Sequence, residues 1–344
     1  MDNIFVRERE KRMSDVKGFE ISDILGLSQP LTKLIEVCSS AIGIVYKPRH
    51  ERKMTDAKVY EIKQIGEAIR ENSDLPVNYQ YRNIGVNATD TEDLMQRAKN
   101  RWLLEEMKRQ QNVEAVADNA YDELSSKDRV SEKPVDEDWK TRFFDIAKGI
   151  SSEEMQHIWG KILAGEIEQP GSFSMRTLDV IRNLSQDEAK AFQGILPFLV
   201  QLSRRKMIIP GSSGLLEQYN VQTTTLTLLS ECGLIGSENG NMFKFELNGK
   251  RSATMYSNGM IMFLSCKAGM HKTVTFGGYS LTKAGIELER ILNYEPNNDF
   301  FANLASEYYS RNNDSIEIAV HTINYITESK IDYNDKPMFF YPEL

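Results

Sequence analysis

The sequence predicts a mainly α-helical protein, with a helical N-terminal arm, a central helical bundle and a winged-helix-like α+β module towards the C-terminus. Three observations predict it. Within residues 151–193, Met155, Ile158, Trp159, Ile162 and Leu163 recur at three- and four-residue spacing, one apolar face of a helix. Residues 91–124 run without a breaker, and Leu94, Ala98, Trp102, Leu103, Met107, Val113, Val116 and Tyr121 form a loose stripe. Beyond residue 215 helical spacing gives way to alternation at Met242–Leu247, and two Asn-Gly pairs, Asn239-Gly240 and Asn258-Gly259, read as hairpin turns.

Residues 1–20 are charge-rich and read as a flexible N-terminus. Residues 21–124 form the N-terminal helical region and long arm. Its first helix is apolar through Leu34, Ile42 and Val45, with Ser28 as cap and Pro30 in the first turn. Pro48 ends it before a basic cluster, so two readings compete over 21–46: a core or self-association helix, and a membrane-associating hairpin, against which Glu36 counts. Residues 125–138 are charged, proline-containing and apolar-poor, and read as a linker.

Residues 139–209 form the central bundle. Ser152 precedes two acids where the helix dipole favours negative charge, Ser174 stands before a second helix, and Ser185 with Glu188 makes a capping box for a third. Residues 215–293 form the winged-helix-like module, with strand candidates at 242–247, 260–265 and 273–276 and a closing helix from Ile286, capped by Ser280 or Thr282. Residues 296–344 hold helices at 300–309 and 316–326 and an aromatic tail at Phe339-Phe340-Tyr341.

The string from Glu153 to Phe192, carried by Trp159, Ile162, Leu163, Ala164, Leu178, Leu184, Ser185, Glu188 and Ala189, resembles the uncharacterised bacterial domain-of-unknown-function 2806 family. It is distantly similar to the abortive-infection alpha family. The matching positions are core-type, so the resemblance implies a shared scaffold and a phage-defence setting, with no chemistry attached. Residues 279–288 resemble the closing segment of many bacterial winged-helix proteins.

A formal net charge of −8 over 344 residues argues against a protein that coats nucleic acid over its whole surface. Three widely spaced cysteines fit a reducing compartment, and no signal peptide or span-length apolar run occurs, so a cytoplasmic protein is expected. His50, His157, His271 and His321 are scattered; no zinc spacing, nucleophile elbow, phosphate loop or dinucleotide fingerprint occurs. Catalytic residues, metal ligands and cofactors are therefore expected to be none.

The functional expectation is a non-enzymatic, oligomeric interaction or effector protein, set by the resemblance in anti-phage defence. Its surfaces are expected at Leu34, Ile42 and Val45, at Trp102 and Trp159, and at Phe339 and Phe340. The alternatives are a winged-helix DNA-binding regulator, with Lys250, Arg251 and Lys272 on phosphate, and a membrane-perturbing toxin acting through 21–46. The helix at 222–230 carries no Arg or Lys, which weighs against base reading in a major groove.

Overall fold

The computed structural model describes residues 28–42, 77–80, 83–86, 94–211, 214–236, 242–248, 251–327 and 329–341. The chain divides into two compact units, Met1–Ser172 and Phe173–Leu344.

In the first unit helix α1 (Gln29–Ile42) packs on α2 (Leu94–Ser125) and α4 (Glu153–Glu168), and α3 (Glu137–Ala147) packs on α2. A small antiparallel hairpin, β1 (Val77–Gln80) with β2 (Asn83–Val86), also belongs to it. The caps follow the sequence: Asp136 accepts from the Trp139 amide and Ser152 from the Met155 amide. The core gathers Leu34, Ile35 and Cys38 of α1, Val116, Ala117 and Ala120 of α2, and Trp159, Ile162 and Leu163 of α4. The Trp159 ring lies 5.3 Å from Phe143, which stacks on Trp139 at 4.9 Å. Gly160 sits where α4 crosses α2; a Cβ there would collide with the Asn119 Cβ and lie 3.0 Å from the Ala120 amide nitrogen.

Residues 126–136 connect α2 to α3 and are tied down. Lys33 Nζ donates to the carbonyls of Ser131 (2.6 Å), Lys133 (2.7 Å) and Ile167 (3.2 Å), joining α1 to this loop and to the last turn of α4. Burial pushes the Lys33 ammonium pKa down, while Glu36 and Glu166 hold it up. A buried amide pair fixes the α3–α4 connection: Gln156 Nε2 donates to Asn112 Oδ1 (3.3 Å) and to the Ile150 carbonyl (2.8 Å), and Asn112 Nδ2 donates to the Lys148 carbonyl (2.8 Å).

The second unit is built on a curled, eight-stranded antiparallel sheet. Its strands are β3 (Leu199–Leu202), β4 (Arg205–Ile208), β6 (Ala253–Tyr256), β7 (Met260–Cys266), β9 (Tyr279–Ser280), β10 (Ile316–Ile326), β11 (Ile331–Tyr333) and β12 (Phe339–Tyr341). The order is β11-β10-β7-β6-β3-β4-β9, with β12 pairing on β10 as well. The register Val320↔Met262↔Met255 and Ile318↔Leu264↔Ala253 puts one buried apolar row across three strands. Strands β5 (Met242–Leu247) and β8 (Lys272–Gly277) pair separately as a two-stranded ribbon.

Helix α9 (Asn298–Asn312) packs across β7, β10 and β12, burying Phe300, Phe301, Leu304, Ala305 and Tyr308; the Tyr308 ring lies 4.6 Å from Phe276. Of the remaining helices, α5 (Met175–Arg182) packs on α8 (Lys283–Glu289), and α6 (Gln186–Ile195) on α7 (Thr223–Glu231). Buried Glu287 of α8 accepts from the Ser174 amide (2.7 Å) at the start of α5, and Thr282 caps α8 through the Gly285 amide. The capping box of α6 forms as its sequence requires, and the Ser185 hydrogen bonds hold the Glu188 carboxyl pKa below its usual value.

The mainly α expectation is overturned by this sheet. Residues 316–326, expected to be helical, form β10, because Ile316, Ile318 and Val320 alternate inward with period two and β-branching favours the pleat. The winged-helix-like expectation is also corrected: β6 and β7 belong to the large sheet, and β5 pairs with β8. The strand candidates 242–247, 260–265 and 273–276 occur as 242–247, 260–266 and 272–277. Asn258-Gly259 does sit in the β6–β7 turn, but neither residue has positive φ; Ser257 Oγ holds the turn by accepting from the Gly259 (3.2 Å) and Met260 (3.1 Å) amides. Asn239-Gly240 lies outside the described residues.

Candidate interaction surfaces

The sequence-derived surface residues separate into interior and exterior. Leu34 and Ile42 are buried in the first unit, where the contacts of α1 with α2 and α4 account for their apolarity. Trp159 is fully buried, and its indole Nε1 has no hydrogen-bond partner. Trp102, on the N-terminal half of α2, is 61% exposed among Arg101, Glu105, Glu106 and Arg109, which pair along the helix. Val45 and Lys250 lie outside the described residues.

Phe339 and Phe340 fall on β12, paired with Val320 and Ala319 of β10; Phe340 is half-buried and Phe339 exposed. They belong to a larger feature that sequence reading missed. Tyr325 and Ile326 at the end of β10, paired with β11, and Met338 before β12 are also exposed, so apolar side chains gather at this end of the sheet. Among the described residues no strand pairs with the outer side of β11 or β12. The opposite edge, β9, is closed by the Gly236 amide donating to the Ser280 carbonyl (2.7 Å) and by an Ile235–Leu281 bridge. Behind the open edge His321 is buried between Phe263 (5.6 Å) and Tyr333 (5.2 Å), and its Nδ1–H donates to the Asn334 carbonyl (2.7 Å).

Arg251 and Lys272 lie by the β5–β8 ribbon. Arg251 is exposed and lines a groove of about 830 Å³ with Lys244, Phe245, Glu246, Ser252 and Thr273. Lys272 is half-buried and pairs with Leu247 at the ribbon's end.

The ionisable clusters are internally satisfied. Buried Glu289 accepts from Lys206 Nζ (2.7 and 2.8 Å) and from the Tyr294 hydroxyl (2.7 Å); burial and this carboxylate push the Tyr294 pKa up. Burial pushes the Cys38 thiol pKa up, and burial with Glu188 pushes Cys232 up to about 11, so both stay protonated at neutral pH, opposite to what a thiolate nucleophile needs. Among the described residues no three His, Cys, Asp or Glu side chains gather as metal ligands, and no helix is long and apolar enough to cross a membrane.

These features define a two-unit protein: a mainly helical unit with one small hairpin, and a sheet-based unit with an uncovered edge and a groove lined by Lys244 and Arg251. Comparison with known families places it further. Residues 96–305 match the family described as protein of unknown function (DUF2806), which is most of the chain, and the chain belongs to that family. No curated protein and no solved structure matches it.

Proposed function

We propose that this chain is a non-enzymatic, self-associating interaction protein, whose contact between copies is the open edge formed by β11 and β12. The observation that carries the reading is an uncovered strand edge beside exposed apolar side chains, Met338 and Phe339 at β12 and Tyr325 and Ile326 on the adjoining end of β10. An edge strand offers a row of free backbone N–H and C=O groups, and proteins blunt such edges unless they use them. Here β9 is covered by residues 235–236, while among the described residues no strand covers the three-residue strands β11 and β12. A second copy in antiparallel orientation would satisfy both edges with one patch, as a two-fold dimer requires.

Light scattering after size exclusion tests it. The wild type is expected as a dimer or higher assembly at micromolar concentration. Met338→Lys with Phe339→Lys, at exposed positions, is expected to shift it to monomer with unchanged circular dichroism. A wild type that stays monomeric over the full concentration range would overturn the proposal.

The setting we propose is the bacterial cytoplasm, in defence against phage, a reading that rests only on the sequence pattern around Trp159, Leu163, Ala164, Leu184, Ser185, Glu188 and Ala189. Its expected result is a lower plating efficiency of some phage on cells that carry the gene, restored by the Met338→Lys, Phe339→Lys variant. Equal plating with and without the gene across a broad phage panel would remove this setting while leaving the assembly untouched.

A further inference from the structure

Charge is distributed unevenly along the chain. Residues 242–283 hold six basic residues, Lys244, Lys250, Arg251, Lys267, Lys272 and Lys283, and one acidic residue, Glu246, a net +5 in a chain of net −8. Folding concentrates part of this excess. Lys244 and Glu246 pair with Thr275 and Thr273, which places all four on one face of the β5–β8 ribbon. The turn after β5 is closed by the Asn248 amide on the Arg251 carbonyl (3.2 Å) and the Arg251 amide on the Asn248 carbonyl (3.0 Å), fixing Arg251 beside that face. At the other end, the Arg205 guanidinium lies 5.5 Å from the Phe243 ring centroid. Phe243 alternates to the ribbon face opposite Lys244, so the cations of the groove itself are Lys244 and Arg251. Among the described residues neither Lys244 nor Arg251 makes an ion pair, whereas Lys206, Lys283 and Arg311 of the same unit do.

We propose that this groove binds the phosphodiester backbone of single-stranded nucleic acid, independently of sequence. Lys244 and Arg251 meet phosphates, and the Ser252 and Thr273 hydroxyls donate to phosphate or sugar oxygens. The shape selects a single strand. A duplex is read by a convex helix or ribbon entering its groove, whereas here the cations line a concavity of about 830 Å³. Glu246 within the groove repels phosphate and keeps the contact weak, while the cation–phosphate contacts make it salt-sensitive.

The test is fluorescence anisotropy of a labelled mixed-sequence oligonucleotide, single-stranded and as its duplex, with the full chain. With two or three phosphates neutralised, raising salt from about 50 to 200 mM is expected to weaken single-strand binding about tenfold, from ~0.7 logarithmic units of slope per phosphate. Lys244→Glu with Arg251→Glu is expected to weaken it at least tenfold. Thr273→Lys is expected to tighten it, and Arg176→Glu, exposed on α5, to leave it unchanged. Absent or salt-independent binding, equal binding of the duplex, unchanged binding by the Lys244, Arg251 double variant, or capture by phosphatidylserine vesicles in place of the oligonucleotide would each overturn the proposal. Thr273→Lys keeps the test decisive if the double variant fails to fold.

Discussion

Gly160→Val is expected to lower the stability of the first unit by about 3 kcal/mol, the upper end of overpacking costs. The crossing of α4 over α2 leaves no room for a side chain: the first added carbon meets the Asn119 Cβ and the backbone nitrogen of Ala120, neither of which is the free end of a flexible chain. Gly160→Ala separates packing from propensity. Alanine favours a helix over glycine by about 1 kcal/mol, so an open site would gain from the change. Here the collision outweighs that gain and the sign reverses. Gly194, on exposed α6 with nothing within 4 Å of an added Cβ, supplies the opposite case, and Gly194→Ala is expected to stabilise by about 0.5–1 kcal/mol. Urea titrations of the three variants check this; a stable Gly160→Val protein would show that the helices do not meet at this glycine.

Trp159→Ala is expected to cost about 3–5 kcal/mol, the usual range for emptying a large aromatic site. The side chain is fully buried, and its loss would open the layer it shares with Phe143 and Trp139. Trp159→Phe should behave differently. Phenylalanine keeps a ring against Phe143 and removes the indole N–H, which has no partner and carries a desolvation cost of about 1–3 kcal/mol. That gain offsets much of the smaller volume, so a net loss of about 1 kcal/mol is expected. Thermal melts check the contrast: equal losses in the two variants would mean that Nε1 is satisfied in solution. Acrylamide quenching gives a second readout, since Trp102 is exposed while Trp139 and Trp159 are buried.

The helices of both units were largely legible in the sequence, and the strands only in part. Helical spacing around Trp159, and side-chain caps at Ser152, Ser174, Ser185 and Thr282, are local signals with local causes, and each capping residue accepts from the expected amide. The sheet depends on partners distant in sequence. Strands β3, β4 and β6 have four residues each and β9 two, too short to display a period. The β3–β4 turn closes with Ser203 at φ 56 instead of an Asn-Gly pair. In β10 the alternation Ile316, Ile318, Val320 was present, but Ile323 and Ile326 beyond it have helical spacing and the bulge between Ile323 and Tyr325 shifts the register. Of the groove only Arg251 stood out as a charge, while Lys244 and Thr273 joined the site through the β5–β8 pairing and Lys272 lies outside its lining.

The strand order carries a kinetic consequence. Strand β3 must wait for β6, β4 for β9 and β7 for β10, each partner arriving after about fifty or more further residues of chain. Closing such long loops costs entropy before any ladder bond repays it. In the N-terminal unit α3 and α4 follow α2 within short connections and pack on it, so the newly made chain would consolidate those three helices first and leave the sheet's central strands exposed to each other, and to neighbouring copies, for longest.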